Sequence, residues 1–230
     1  MPLLLVDLDN TLVDRAAAFT AFAHEYVAGL GRGADDAEWL IMTDGDGFTP
    51  RDQVADAARQ RFGLKSVDIA ELVAILRAGL VERMVLDPAV PEALGRARAA
   101  GWTVAIVTNG AHAQQSRKVA TLGLAPYVDA VVVSESAGHR KPEPEIFQLA
   151  AAAARADLDG AWMIGDSAHA DIAGAQAVGI GSVWLHRTRS WPDELPEPDH
   201  HADSFADAVD HVLTVGAADR WGAADHDGAD

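Results

Sequence analysis

The 230-residue sequence contains no cysteine, so disulfide bonds and thiolate chemistry are excluded. Cationic residues are also scarce: 18 Lys and Arg stand against 35 Asp and Glu, which gives a formal net charge of −17. A surface this acidic repels nucleic acid and anionic lipid, and we expect neither as a partner. It repels anionic substrates at long range as well, so a site for a phosphorylated ligand must be locally positive or hold a metal ion.

Long apolar stretches are missing too. No segment approaches the roughly 18 consecutive apolar residues of a membrane-spanning helix. The amino-terminal run, residues 3–6, is too short for a signal peptide and lacks the basic residues that precede one. These absences predict a cytoplasmic protein that does not associate with membranes.

Short apolar runs, rich in Val, Ile and Leu, predict five main strands. They cover residues 3–6, 102–107, 130–133, 161–164 and 182–185. None alternates cleanly between polar and apolar residues, as is typical of strands buried on both faces of a parallel sheet. Helical patterns separate the later runs, and this repeated order predicts an α/β fold with a doubly wound parallel sheet.

The segment 15–86 interrupts this rhythm. Its helical patterns contain no convincing strand, and the distance from the first strand to the second far exceeds a normal crossover. We therefore predict a helical cap domain at 15–86 inserted into a core domain made of 1–14 and 87–215. The acidic, Ala- and Gly-rich end of the chain, 216–230, is predicted to be disordered.

Two acidic side chains follow the first predicted strand. Asp7 and Asp9 end an apolar run, where uncompensated carboxylates are costly. The carboxyl ends of strands form the ligand crevice of an open α/β sheet, so both would lie where a substrate binds. One carboxylate can attack a phosphoryl group, while a second carboxyl protonates the leaving alcohol and then deprotonates water. Taken alone, the pair is equally compatible with a turn in which an Asp caps a helix.

Polar residues also follow the other strands at this edge. Thr108 and Asn109 precede a glycine, which is typical of an anion cradle and also of a helix cap. Lys141, one of three lysines, precedes a proline and either balances carboxylate and phosphate charge or belongs to a solvated helix start. Asp166 and Asp171 offer oxygen ligands for Mg²⁺, although Asp171 is equally suited to cap a helix. Four such motifs in order favour a functional site.

With these motifs in place, the sequence resembles the haloacid dehalogenase-like hydrolase superfamily, phosphatase type. The four signature regions of that family correspond to 7–11, Thr108, Lys141 and 165–171. The stretch 107–184 is most similar to the branch that holds N-acylneuraminate-9-phosphatase and the pyrimidine 5′-nucleotidases. The resemblance implies a Rossmann-like core with an inserted cap and Mg²⁺ as cofactor.

The resemblance also implies roles for the acidic residues. Asp7 would attack phosphorus and form an aspartyl-phosphate. Asp9 would act as acid and then as base, and its backbone carbonyl would bind Mg²⁺. Asp7 and Asp166 would be side-chain ligands of the metal, and Asp171 would act indirectly, through a metal-bound water or by bracing the lysine.

The remaining candidates would bind the substrate, a small phosphorylated metabolite such as a sugar phosphate or a nucleotide. Thr108, Asn109 and Lys141 would hold the transferring phosphoryl group. Arg51, in the insertion, is a candidate substrate contact, although it also simply follows a helix-starting proline. The helical cap would close over the site and exclude water.

Three alternatives remain open. A phosphomutase would keep all four motifs. A 2-haloacid dehalogenase would need Asp7 but neither a metal nor an acid two residues later, so Asp9 argues against it. A non-catalytic metabolite-binding module would be expected to have lost Asp7 or Asp9, and both are present.

Overall fold

The computed structural model of the protein describes residues 1–222. They form two compact units: one contains Met1–Leu12 and the chain from Leu86 onward, and the other contains Val13–Val85. No helix in the described range is long and apolar enough to cross a membrane.

The first unit is built on a parallel sheet of six strands in the order β3-β2-β1-β4-β5-β6. The strands are β1 (Leu3–Val6), β2 (Thr103–Thr108), β3 (Ala130–Val133), β4 (Trp162–Gly165), β5 (Gly181–Leu185) and β6 (His200–Ala202). The predicted doubly wound parallel sheet is confirmed, and all five predicted strands are present within a residue of their predicted ends.

The structure adds a sixth strand, β6, to the five that the sequence predicted. The strand has only three residues, two of them polar, because it lies at the sheet edge, where one side needs no apolar cover. Its register against β5 pairs Leu185 with Ala202, and the buried Ala202 is its single inward anchor.

Helices account for most of the remaining described chain. In order they are α1 (Arg15–Gly29), α2 (Ala34–Asp44), α3 (Arg51–Phe62), α4 (Ile69–Glu82), α5 (Ala89–Ala99), α6 (His112–Thr121), α7 (Ser134–Ala137), α8 (Pro144–Ala154), α9 (Ala173–Ala177) and α10 (Phe205–Gly222). A π-helical turn, Ala168–Ile172, runs directly into α9. Helices α8 and α9 pack on one side of the sheet, while α5 and α10 contact the strands and each other.

The central strand β1 is the most deeply enclosed element. Its four residues are fully buried, as expected for a Leu-Leu-Leu-Val run with sheet neighbours on both sides. Each buried Leu or Val side chain contributes roughly 1.5–3 kcal/mol relative to an exposed one. The strand that carries Asp7 is therefore held rigidly in the middle of the core.

The second unit consists of helices α1 to α4. Helix α2 has a weak sequence signal, because Ala37 and Leu40 are its two buried apolar residues and glycines precede it. Asp35 and Asp36 in its first turn complement the positive end of the helix dipole. Its Trp39 ring packs edge-on against Phe62 of α3, with ring centroids 5.6 Å apart.

Helix α10 runs to Gly222, past residue 216, where the sequence had predicted disorder to begin. Ala208, Val209 and Val212 are buried on its inner face, and alanines, the best helix formers, extend it beyond that face. Residues 223–230, the rest of the predicted tail, lie outside the described residues.

Candidate active site

The carboxyl ends of β1, β2 and β4 bring the predicted site residues of the first unit together. Asp7 directly follows β1 and its backbone N–H donates to the Ile164 carbonyl of β4 at 3.0 Å. Thr108 ends β2 and Asp166 directly follows β4. Lys141 reaches the same place from the loop after α7, and its peptide bond to Pro142 is cis.

Lys141 lies at the centre of this arrangement. Its side chain is 2% exposed, and its Nζ lies 2.6 Å from Asp7 Oδ1 and 2.6 Å from Asp171 Oδ1. The same Nζ donates to the Val107 carbonyl at 2.6 Å. Burial pushes the pKa of Lys141 down, but the carboxylates of Asp171 and Asp7 outweigh burial and raise it above its ordinary value. Lys141 is therefore a fixed, permanently charged ammonium group.

Three buried carboxylates share this lysine. Oxygen atoms of Asp7, Asp166 and Asp171 all lie within 4.8 Å of one another. Burial raises the pKa of Asp7 well above its usual value, and the neighbouring charges of Asp171 and Asp166 add to that effect, whereas Lys141 opposes it. The site therefore carries more negative charge than Lys141 alone can balance.

Local structure explains how Asp171 enters the site. It lies in the π-helical turn after β4 and accepts a hydrogen bond from the Ser167 N–H at 2.9 Å. A Cβ atom on Gly165 would lie 2.3 Å from Asp171 Oδ2, so only glycine fits at this point. Asp171 thus both closes its own turn, as a capping residue does, and braces Lys141.

Asp166 has cationic neighbours that the sequence interpretation missed. Arg189 Nη2 donates to Asp166 Oδ2 at 2.9 Å, and Arg187 Nη1 lies 3.9 Å from the same oxygen. Burial, reinforced by Asp171 and opposed by Arg189 and Arg187, raises the pKa of Asp166 to about 6. Arg187 and Thr188 have φ values of 46° and 62°, so the loop after β5 holds two consecutive non-glycine residues in the left-handed region.

Asp9 also has partners that the sequence interpretation missed. Lys118 Nζ lies 2.7 and 2.6 Å from its two carboxylate oxygens, and Gln115 Nε2 donates to Oδ2 at 3.0 Å. Both partners lie on α6, more than a hundred residues along the chain. The one available signal was that Lys118 is among three lysines in the sequence and follows a strand-end motif.

The structure gives Thr108 and Asn109 different contacts. Thr108 is buried, and its Oγ1 accepts a hydrogen bond from Gln115 Nε2 at 2.6 Å. The Asn109 amide brackets the backbone of Lys141: Nδ2 donates to the Lys141 carbonyl at 3.0 Å, and Oδ1 accepts from the Lys141 N–H at 2.9 Å. The Asn109 side chain therefore fixes the loop that carries Lys141.

Arg51 lies in the second unit, where it belongs to a cluster of charged residues. Its Nη1 lies 2.6 Å from Asp44 Oδ1, and Arg15 Nη1 lies 2.8 Å from Asp44 Oδ2. Burial lowers the pKa of Arg51, and the Asp44 carboxylate opposes that effect. Within its own unit, Arg51 is thus part of a buried ion-pair network.

The donor set of the acidic cluster fits a hard divalent cation. Its carboxylate oxygens are of the type that Mg²⁺ prefers, and Asp171 Oδ1 is buried with an ion pair to Lys141 but no hydrogen bond of good geometry. A bound cation would relieve the repulsion that raises the pKa values of Asp7 and Asp166. The backbone carbonyl of Asp9 is a further candidate ligand.

Comparisons with known proteins identify the family of the chain. A family model described as haloacid dehalogenase-like hydrolase matches residues 1–179. A phosphoglycolate phosphatase from Mesorhizobium japonicum is 31% identical over 95% of this chain and 96% of its own. A phosphoserine phosphatase from Thermus thermophilus is 35% identical over 49% of this chain, and the match spans about half of that relative, 46% of its length.

A solved structure shows the same fold. The HAD phosphatase from Thermococcus onnurineus superposes with a TM-score of 0.64, covering 92% of this chain and 98% of its own, at 22% identity.

Proposed function

The chain belongs to the haloacid dehalogenase-like hydrolase family, and on that premise we propose that it is a Mg²⁺-dependent phosphomonoesterase acting on a small phosphorylated metabolite. The observation that carries the proposal is the position of Asp7. It stands at the end of the central strand, paired with Lys141 at 2.6 Å, beside two further buried carboxylates and two residues before Asp9.

Asp7 is the proposed nucleophile. One of its oxygens attacks phosphorus and forms an acyl-phosphate, which divides the hydrolysis into two easier steps. Lys141 favours the ionised form of Asp7 against the effect of burial and offers positive charge to the phosphoryl oxygens, in the role that fixed donors have toward a developing anion. Thr108 and the backbone N–H of Asn109 complete the proposed phosphoryl cradle.

Asp9 is the proposed acid and base. It gives a proton to the leaving alcohol oxygen in the first step and takes one from the attacking water in the second. Asp7, Asp166 and the Asp9 carbonyl would hold Mg²⁺, with Asp171 acting indirectly through Lys141. When bound, the ion would neutralise charge on the transferring phosphoryl group.

The names of the relatives support a small phosphate monoester as the class of substrate, but they do not single out one compound. Phosphoserine and phosphoglycolate, in the names of two of them, are small monoesters of phosphate with different alcohols. We propose a small phosphorylated metabolite of this kind, with a sugar phosphate or a nucleotide as the first choices. The helical unit Val13–Val85 is proposed to act as the substrate-selecting cap, with Arg51 as a candidate contact.

A screen of metabolite phosphates with and without Mg²⁺ tests the proposal. We expect release of inorganic phosphate that EDTA abolishes, and a loss of at least about 10³-fold in kcat for Asp7→Asn. Asp157→Asn, which changes an exposed acid of the same unit, is the matched control and should retain wild-type activity. A wild-type protein that is inert on every phosphate ester would contradict the proposal, and conversion of a sugar phosphate into its isomer without phosphate release would identify a mutase.

A further inference from the structure

Helix α6 presents two donors to the carboxylate of Asp9. Lys118 Nζ contacts both oxygens, at 2.7 and 2.6 Å, and Gln115 Nε2 contacts Oδ2 at 3.0 Å. The two residues are three positions apart, so they lie on the same face of the helix. The orientation of Asp9 is thus determined from a neighbouring element and not only by its own loop.

Lys118 is buried, so its positive charge needs a partner. Its side chain is 2% exposed, and a buried ammonium group destabilises a protein unless it is paired and hydrogen-bonded. Asp9, in contrast, is 22% exposed. Asp9 is therefore the member of this pair that is more accessible to a bound substrate.

Gln115 links Asp9 to the predicted phosphoryl cradle. The same Nε2 that contacts Asp9 donates to Thr108 Oγ1 at 2.6 Å. One buried amide thus sets the separation between the proposed acid and base and the hydroxyl at the end of β2. A helix that merely needed fastening to the sheet would not require a donor shared between these two side chains.

We propose that Gln115 and Lys118 are positioning residues, which hold the Asp9 carboxyl group in line for proton transfer to the leaving oxygen. The inference rests on the proposed phosphatase function. In the first step the ester P–O bond breaks as Asp7 bonds to phosphorus, and the proton of the Asp9 carboxyl moves to the departing oxygen. In the second, water attacks the phosphorus of the acyl-phosphate, the bond between Asp7 and phosphorus breaks to release inorganic phosphate, and a proton of the water returns to Asp9, so the enzyme is regenerated.

Leaving groups of different basicity distinguish positioning of Asp9 from a purely structural role. A basic leaving oxygen needs the proton from Asp9, whereas p-nitrophenolate departs with little help, and kcat/KM reports only the steps up to acyl-phosphate formation. For Lys118→Met we expect a fall in kcat/KM of about 100-fold on p-methoxyphenyl phosphate and only about 10-fold on p-nitrophenyl phosphate.

Three further variants complete the experiment. Lys118→Arg keeps a charged donor and should recover most of the activity lost on p-methoxyphenyl phosphate, while Gln115→Leu should shift the two esters in the same sense as Lys118→Met. Arg117→Met, which removes the exposed cation next to Lys118 on α6, should stay within about twofold of wild type on both esters. Thermal unfolding of each variant identifies any that fails to fold. If Lys118→Met does not fold, the comparison of the two esters is made with Gln115→Leu.

Equal losses on both esters, with no recovery in Lys118→Arg, would show that Lys118 only supports the fold and would overturn the positioning role. That outcome leaves the proposed function intact, because the wild-type protein would still hydrolyse both esters in an Asp7-dependent way. A wild-type protein inactive on both esters would instead reject the proposed function together with the positioning role.

Discussion

Asp166 is the candidate metal ligand with the most direct competition from the protein itself. Arg189 Nη2 contacts its carboxylate at 2.9 Å and its backbone carbonyl at 2.6 Å, and the guanidinium packs over the Trp184 ring at 5.9 Å. A cation that binds Asp166 must share or displace this guanidinium. The loop after β5 thus sets how tightly the acidic cluster can hold Mg²⁺.

Replacing Arg189 tests that competition. A hydrogen bond to a charged group is worth about 1.5–3 kcal/mol. Removing the bond from Arg189 makes only part of this free energy available for Mg²⁺ binding. We therefore expect Arg189→Gln to raise the affinity for Mg²⁺ about three- to tenfold, measured by calorimetric titration at about pH 8. Arg117→Gln is the control for the change in net charge. Unchanged or weaker binding in Arg189→Gln would contradict competition.

The candidate site divides into residues that the sequence predicted and residues that it missed, for a physical reason. Asp7 and Asp166 stand at strand ends, and parallel strands end at one edge, so pattern alone places them close together. Gln115, Lys118 and Arg189 instead reach the site as long side chains from a helix and a loop. Their direction depends on packing, which no periodicity in the sequence encodes.

At the scale of whole elements, two glycines in helices differ in how closely a neighbouring helix packs against them. Gly79 lies in the last turn of α4, where an added Cβ would lie 2.2 Å from the Phe22 ring of α1. Gly95 lies in the middle of α5, and an added Cβ there would meet nothing within 4 Å. The first glycine is required by contact between two helices, and the second is not.

The two glycines make a matched pair of alanine substitutions. Gly79→Ala should lower the free energy of unfolding by about 1–3 kcal/mol, because the helices must separate to admit the methyl group. Gly95→Ala should raise it by about 0.5–1 kcal/mol, because alanine favours the helix and restricts the unfolded chain. Denaturant unfolding checks both. Equal effects of one sign would refute the proposed contact between α1 and α4.

Helices and strands were predictable from the sequence where most of their residues are buried, and less so where only one or two are. The five apolar strands fill the sheet interior, and their hydrophobic runs were sufficient to identify them. Helix α2 and strand β6 each have one or two buried anchors, Leu40 and Ala202 among them. Such elements are stabilised mainly by packing against neighbouring elements. The residues of those neighbours lie in distant parts of the sequence, so the local pattern does not reveal them.

For the whole molecule, the acidic cluster makes stability depend on pH. In the unfolded chain Asp166 loses its proton near the ordinary aspartate pKa of 3.8, whereas in the folded protein it keeps the proton until about pH 6. The folded state therefore binds more protons between these values, and stability falls as the pH rises through them. The shift of about two pKa units corresponds to a loss of up to about 3 kcal/mol above about pH 6.

Removing the charge should recover part of that loss. In EDTA at about pH 7.5, Asp166→Asn should raise the free energy of unfolding by about 1–2 kcal/mol, since the lost ion pairs with Arg189 and Arg187 offset some of the gain. At about pH 4 the gain should vanish. Adding Mg²⁺ at about pH 7.5 should stabilise the wild type but not the variant. A gain that is the same at both pH values would refute this explanation.

The central position of β1 has a consequence for how the chain is made on the ribosome. This first strand has only apolar residues, and its sheet neighbours are β2 and β4, where Leu3 meets Thr103 and Leu4 meets Trp162. At about 5–20 residues per second, roughly 5–20 s of synthesis separate β1 from its first neighbour. During that time the apolar strand has no sheet neighbour to bury it, and we expect chaperones to bind this segment of the nascent chain. The residue proposed to carry out the chemistry is thus made well before the strands that hold it in place.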